Sequence, residues 1–106
     1  MYRAIDRLCL SLKPGAIERR FVAMTINYVC GKFIFCCVEL QKGGMRVCLK
    51  LKYAHLENPP AFARDVSNIG HYGVGNLQLA ITNMAQLEAA TPLIRQSLDG
   101  QLASVR

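Results

Sequence analysis

The stretch Met45-Arg46-Val47-Cys48-Leu49-Lys50-Leu51-Lys52 alternates without a break between large apolar residues and a second set that carries three basic side chains. Successive side chains of a strand point to opposite faces. The pattern predicts a β-strand with one face toward a core. The inward residues are Met45, Val47, Leu49 and Leu51, and the outward residues are Arg46, Cys48, Lys50 and Lys52.

Two more strands are predicted before this one. Val22 to Val29 alternates in the same way and leads into a short turn at residues 30–32. Gln41 to Gly44 supplies a hairpin turn to Met45. The segment between these turns is apolar on both sides, which is typical of a strand covered on both faces. Its two rows are Phe33, Phe35 and Cys37 on one side and Ile34, Cys36, Val38 and Leu40 on the other.

Helical spacing appears at both ends of the chain. Tyr2 to Leu12 predicts a helix that Pro14 and Gly15 terminate. A second helix follows a cap at Thr82 or Asn83 and ends at Gly100. At Pro92 it either kinks or gives way to a separate helix.

The remaining segments complete the predicted fold. Residues 16–20 form a basic connector that the pattern leaves unassigned, residues 61–66 suit one or two helical turns, and Leu77 to Ile81 alternates as a fourth strand. The sequence therefore predicts an α+β fold in a single domain over residues 1–106. It has a four-stranded antiparallel sheet with the N- and C-terminal helices on one face.

Composition limits the function classes. The chain carries 13 basic and 7 acidic side chains, which favours acidic partners. Five cysteines without a CxxC pair or an apolar leader favour a reducing cytoplasm and exclude a zinc site of the usual spacing. Every long apolar run is interrupted, so we expect no membrane span, and we expect no cofactor.

Residues 68–76, Asn-Ile-Gly-His-Tyr-Gly-Val-Gly-Asn, are the most unusual segment. A phosphate-binding glycine loop must open a helix, whereas this one leads into a strand. We expect a tight crossing beside a small pocket, because polar residues on constrained loops often carry function. The predicted ligand site is His71, Tyr72, Asn76, Arg64 and Asp65. Alternatively, Tyr72 packs over the core edge and His71 bonds backbone carbonyls.

A second predicted site is the basic side of the third strand. Arg46, Lys50 and Lys52 share one side, and Lys42 in the preceding turn extends it. Such a stripe can follow a nucleic-acid backbone. The alternative is an ordinary solvated sheet face.

The segment Arg64-Asp65-Val66-Ser67 through Gly75-Asn76, followed by Leu77-Gln78-Leu79, resembles a family labelled "predicted transport protein". The resemblance runs from about Phe21 to Leu98 and implies a C-terminal module of longer bacterial and archaeal proteins. Some of these are associated with restriction endonucleases. Tyr72 stands where the family tends to have tryptophan, and Asn76 where it tends to have aspartate, so a carboxylate role at residue 76 is not carried over.

Assembly and function follow as hypotheses. If the helices cover one sheet face, the strand Phe33 to Leu40 still has an apolar row on the other, and such rows commonly mark interfaces. We expect a homodimer or a dock for a protein. The leading function is a free-standing non-enzymatic binding module for a small molecule or protein. The alternative is a nucleic-acid-binding accessory module, and a weaker third is an enzyme with His71 as general base.

Overall fold

The computed structural model describes residues 2–67 and 75–103. Over these residues the chain forms two α-helices, a 3₁₀ turn and six strands. In chain order they are α1 (Tyr2–Ser11), β1 (Ile17–Phe21), β2 (Ile26–Cys30), β3 (Phe33–Gln41), β4 (Gly44–Leu49), the 3₁₀ turn (Tyr53–His55), β5 (Ala63–Asp65), β6 (Leu77–Ile81) and α2 (Met84–Ala103).

The strands form one open antiparallel sheet in the order β1-β2-β3-β4-β6-β5. The predicted α+β class is confirmed, but the prediction of four strands is wrong. The two extra strands, β1 and β5, are the edges of the sheet. β5 has only three residues, and β1 carries three consecutive charged residues in its middle, so neither shows the apolar–polar alternation that identified β6.

The predicted start of the first strand, at Val22, is wrong. Val22 to Thr25 form a turn, in which the Val22 N–H donates to the Thr25 carbonyl at 2.9 Å. β1 lies before this turn and β2 after it. The alternation of apolar residues continues through the turn, and for that reason the pattern alone runs the two segments together.

The segment predicted as one or two helical turns forms β5 instead. Ala63 to Asp65 pair with β6, and the Ala80 N–H extends the ladder to the carbonyl of Phe62 at 3.0 Å. Backbone groups at the open edge of β6 supply hydrogen bonds that a two-turn helix at this position would forgo. The tertiary partner therefore decides the state of this segment.

The register of the ladders separates two faces, because residues directly opposite each other in an antiparallel pair share a face. One face, the covered face, carries large apolar residues; one of its rows is Ile26, Val38, Val47 and Leu79. The other, the open face, carries a row that crosses all six strands: Arg20, Asn27, Cys37, Cys48, Gln78 and Arg64.

Both helices pack against the covered face. Helix α1 contributes Ile5 and Cys9 to the core, four residues apart on one helical face. Helix α2 contributes residues at spacings of three and four, namely Leu87, Ala90, Ile94 and Leu98. Met84, the first residue of α2, is 48% exposed.

A β-bulge in β3 changes which residues enter the core. Tyr28 pairs with Cys36 and Val29 pairs with Ile34, so Phe35 has no partner on β2. An extra residue of this kind lets two neighbours point to the same side. Phe35 and Cys36 both belong to the core, although the alternation predicts opposite faces for them.

The bulge also removes the apolar row that we expected on the open face. Phe35 is fully buried on the covered side, and Cys37 is only 1% exposed. The exposed large apolar residues lie elsewhere, at Phe21, Val22, Met24, Leu40 and Met84. The premise for an interface through the middle of β3 is therefore wrong.

Polar groups inside the core are bonded. The buried Ser97 hydroxyl of α2 donates to the Phe35 carbonyl at 2.6 Å and accepts from the Lys50 N–H at 3.0 Å. It thereby satisfies the backbone at the bulge and at the end of β4. Among the described side chains, no buried nitrogen or oxygen lacks a hydrogen-bond partner.

Helix α2 is continuous from Met84 to Ala103 with Pro92 inside it, so the predicted separate helix at Pro92 and the predicted end at Gly100 are wrong. Its start agrees with the predicted cap, since Asn83 Oδ1 accepts from the Gln86 N–H at 2.9 Å. Core contacts on both sides of Pro92 offset the hydrogen bond that proline cannot make.

None of the helices in residues 2–67 and 75–103 combines the length and the apolar character needed to cross a membrane.

Candidate functional site

The predicted ligand site separates into two parts at β5. Arg64 lies opposite Gln78 on the open face, whereas Asp65 lies opposite Leu77 on the covered face. Neighbouring residues of a strand point in opposite directions, so these two charges cannot line one pocket. His71 and Tyr72 lie outside the described residues.

Asp65 and Asn76 do come together. They line a cavity of about 210 Å³, the crossing pocket, together with Lys52, Tyr53, Ala54 and Ser67. The Ser67 hydroxyl and N–H donate to Asp65 Oδ1 at 2.6 and 2.9 Å. These two bonds lower the pKa of the Asp65 carboxyl below its usual 3.8, so it is ionised at neutral pH. Asp65 Oδ1 therefore already accepts hydrogen bonds from a neighbouring residue of the same segment.

Gly75 fixes the end of the crossing against β4. Its φ is 94°, which side chains other than glycine rarely adopt. A Cβ at this position would also collide with the Leu49 carbonyl oxygen. The last glycine of the unusual segment is therefore required by close backbone packing, without reference to a ligand.

A second cavity lies on the open face and has a different chemistry. It measures about 280 Å³, and we call it the arginine cleft. Arg46 of β4 and Arg64 of β5 line it from two strands that flank β6. The other lining residues are Ala61, Phe62, Ala63, Gln78 and Ala80.

Gln78 holds one of the two arginines in place. Its Oε1 accepts from Arg64 Nε at 3.0 Å, and its Nε2 donates toward Cys48 Sγ at 3.9 Å. Gln78 is only 4% exposed, so both ends of its amide are fixed by neighbours in the sheet. Arg64 itself is exposed.

Arg46 is exposed, and no counter-ion neutralises it within the described part of the chain. Glu39 lies directly opposite it on β3, yet the two side chains form no ion pair within 4.0 Å. The ion pairs found in residues 2–67 and 75–103 are Arg19 with Asp6 and Arg20 with Glu18. Two arginines that form no ion pair with described residues thus line one cleft.

The predicted basic stripe does not lie on one surface. Lys42 is in the β3–β4 turn, whereas Arg46 is in the cleft. Since β4 ends at Leu49, Lys50 lies just beyond it, and Lys52 lines the crossing pocket. Cys48, predicted to face solvent, is on the open face but only 3% exposed.

The sequence missed Gln78 and Phe62 as parts of a site. A signal for Gln78 exists, because it is the only residue of Leu77–Ile81 with a polar side chain. A buried polar residue in such a strand needs partners. Phe62 had no signal, since the pairing of its carbonyl with Ala80 is a tertiary contact.

The thiols do not form a reactive centre. All five cysteines are unpaired and buried. A hydrogen bond with Cys9, together with burial, raises the pKa of Cys36 well above the usual 9.0. Burial raises the pKa of Cys48 to about 11. A nucleophilic thiol needs a depressed pKa and access to substrate.

Comparison with known proteins gives one match of limited extent. An uncharacterized protein of Haemophilus influenzae is 31% identical over 61 residues, which are 58% of this chain and 20% of that protein. The chain therefore matches about a fifth of the relative's length. No family model matches the chain, and no solved structure matches it significantly. The resemblance to the "predicted transport protein" family stays a prediction.

Proposed function

We propose that this protein is a non-enzymatic binding module that takes an oxyanion group of a larger ligand in the arginine cleft. The observation that carries the proposal is the position of Arg46 and Arg64, which line one cavity from two strands and form no ion pair with any described residue. The oxyanion is a carboxylate or a phosphate.

The geometry of Arg64 suits such a group. A guanidinium presents its N–H donors in a planar fork that matches carboxylate and phosphate oxygens. Gln78 occupies Nε, so the two terminal nitrogens are the donors left for a ligand. Because Gln78 is buried and held by Cys48, less side-chain freedom is lost when the ligand binds.

The apolar lining strengthens the interaction. Phe62 is half-buried and Ala80 is a small exposed residue between the two arginines. A ligand seated here replaces water beside these groups, and charge pairs are stronger where water is excluded. The cavity, at about 280 Å³, is smaller than the roughly 300–1,000 Å³ of whole small-molecule sites. It therefore suits one group of a ligand that extends along the open face.

Nucleic acid is the second candidate ligand. Phe62 lies in the same cleft as the two arginines and offers a ring on which a base can stack. The net charge of +6 favours association with a phosphate backbone. Lys42 and Lys50 would add contacts outside the cleft.

The crossing pocket is the less favoured binding site. Its acidic group, Asp65, already accepts two hydrogen bonds from Ser67. With Lys52 and Asn76 in the same lining, it suits a polar neutral group. His71 and Tyr72 remain predicted ligand residues on the basis of the sequence.

A cytoplasmic location is part of the proposal. Five unpaired thiols, all buried, are compatible with a reducing compartment, where cysteines persist without disulfides.

The test is a binding titration with two fluorescently labelled probes, a short poly-glutamate peptide and a short single-stranded oligonucleotide. We expect Arg46→Ala and Arg64→Ala each to weaken binding of the preferred probe by about tenfold or more, because each removes charged hydrogen bonds. Gln78→Met should weaken it less, since Arg64 remains but is no longer held.

The control is the double variant Lys13→Ala/Lys32→Ala, which removes the same charge as Arg46→Ala/Arg64→Ala at sites outside the cleft. Loss of affinity in this control equal to that of the cleft variants would mean that net charge alone governs binding. Failure of the wild type to bind either probe or inorganic phosphate at low salt would exclude the oxyanion site. A preference for the oligonucleotide with a steep salt dependence selects the second candidate.

A further inference from the structure

The edge strand β1 leaves a row of backbone groups without partners among the described residues. It pairs with β2 on one side only. The Val22–Thr25 hydrogen bond fixes which residues of β1 face outward, since bonded and non-bonded pairs alternate along an antiparallel ladder. By this alternation the N–H and C=O groups of Ile17, Arg19 and Phe21 point away from β2, toward the open edge.

The sequence of this edge, Ile17-Glu18-Arg19-Arg20-Phe21, is complementary to itself in reverse. If a second copy lies antiparallel with Arg19 on the twofold axis, Ile17 faces Phe21 of the other copy and Glu18 faces Arg20. An apolar pair and an opposite-charge pair then occur on each side of the axis. Cross-strand pairs of both kinds are favourable.

We propose that two copies of this protein associate through β1, antiparallel about Arg19, so that the two sheets become continuous. The outward groups of residues 17, 19 and 21 then form about six backbone hydrogen bonds across the axis. The bonded pairs centre on Arg19, which is the register that the side-chain complementarity requires.

The positive charge of β1 does not oppose this association. Charged side chains on an edge strand commonly prevent pairing. Here Asp6 of α1 accepts from Arg19 Nη1 at 2.9 and 3.0 Å, and Glu18 accepts from Arg20 Nη2 at 3.1 Å. Each arginine is therefore neutralised within its own copy before the copies meet.

The exposed apolar residues of the molecule also concentrate at this edge. Phe21 is 68% exposed, and it borders a cavity of about 160 Å³ that Val22, Met24 and Leu40 also line. In the proposed arrangement Ile17 of the second copy covers Phe21. The interface that the sequence predicts through the sheet or its edge is thus placed at the edge.

The interface is small, which sets the expected affinity. Five residues from each copy bury less than the roughly 1,200 Å² of a stable complex. We therefore expect a dimer with a Kd of about 10 μM to 1 mM, formed at high local concentration.

The test exploits the charge pattern. Glu18→Arg and Arg20→Glu each place like charges opposite each other across the axis, so each variant alone should dimerise about tenfold more weakly than wild type. An equimolar mixture of the two variants restores Arg opposite Glu on both sides of the axis. Sedimentation equilibrium should show association in the mixture and in wild type.

Neither variant regains its internal ion pair in the mixture, so recovery reports contact between copies. Hydrogen exchange provides a second measurement: amides of Ile17, Arg19 and Phe21 should gain protection as the wild-type concentration rises. A wild type that stays monomeric at about 1 mM, or a mixture no more associated than its components, overturns the proposal. Neither Arg46 nor Arg64 is involved, so loss of ligand binding and loss of self-association are separable.

Discussion

Cys36 and Cys37 are neighbours in β3, and both are almost completely buried, yet they lie on opposite faces of the sheet. Cys36 is enclosed by α1, α2 and the apolar residues of four central strands. Cys37 lies in a row of the open face that has an arginine at each end. The same residue type thus belongs to the hydrophobic core on one side and to the open face on the other.

The two faces differ in the size and charge of their side chains. The covered face holds large side chains and satisfies its few polar groups through Ser97 and Asp6. The open face holds small residues in its middle and long charged residues around them. A surface of that kind can accept a ligand without disturbing the core, because few large apolar contacts depend on it.

The largest expected effect separates the two faces by stability. Leu79→Ala removes a fully buried side chain from the covered face, and we expect a loss of about 2–5 kcal/mol in the free energy of unfolding. Ala80→Ser, at the next residue on the open face, should change it by less than about 0.5 kcal/mol. Urea unfolding measures both. Equal losses in the free energy of unfolding would show that packing on the open face contributes as much to stability as packing on the covered face.

A smaller effect concerns the polar contact between α1 and the sheet. Burial raises the pKa of Asp6, but hydrogen bonds from Tyr28, Arg19 and Tyr2 outweigh it and leave the pKa below the usual 3.8. A depressed folded-state pKa stabilises the protein above about pH 4 and loses that contribution as pH falls through the folded value.

Asp6→Asn should therefore lower stability at pH 7 and make the acid limb of the stability–pH profile shallower. Glu18 and Asp65, whose pKa values are also lowered, would leave a residual slope. Asp99→Asn, on an exposed turn of α2, is the matched control for the same chemical change away from the contact between α1 and the sheet. An Asp6→Asn profile that parallels wild type would contradict the assignment.

The smallest effect is kinetic. We expect iodoacetamide to label Cys37 and Cys48 before Cys36, because local opening of the open face exposes the first two without separating the helices from the sheet. Cys48 should react slowly, because with a pKa of about 11 on the order of one Cys48 thiol in a thousand is ionised at pH 8. Tandem mass spectrometry of quenched samples gives the order, and labelling of Cys36 at the rate of Cys48 would remove the distinction.

Elements with a complete local pattern could be predicted from the sequence. The first helix, the hairpin of β3 and β4, the last strand and the start of α2 at Asn83 follow from periodicity, turn residues and a cap. Each signal lies within a window of about ten residues. The glycine at position 75 was correctly taken as a requirement of the backbone.

The candidate site could be predicted only in pieces. Arg46 and Arg64 were each identified, but for different ligands, because residues of β4 and β5 meet only through β6. Gln78 became part of the site only when the register placed it opposite Arg64. Lys50 and Lys52 are not part of β4, because the strand ends at Leu49 although the alternation in the sequence continues to Lys52.

The sequence by itself determined the α+β class, the positions of both helices and the presence of one antiparallel sheet, since these depend on local spacing of apolar residues. Only the tertiary structure decided the break between β1 and β2, the bulge at Phe35 and the strand state of β5. The turn and the bulge depend on the register between neighbouring strands, and β5 depends on pairing with β6. These backbone hydrogen bonds decide which side chains share a face, and apolar spacing along the chain does not specify them.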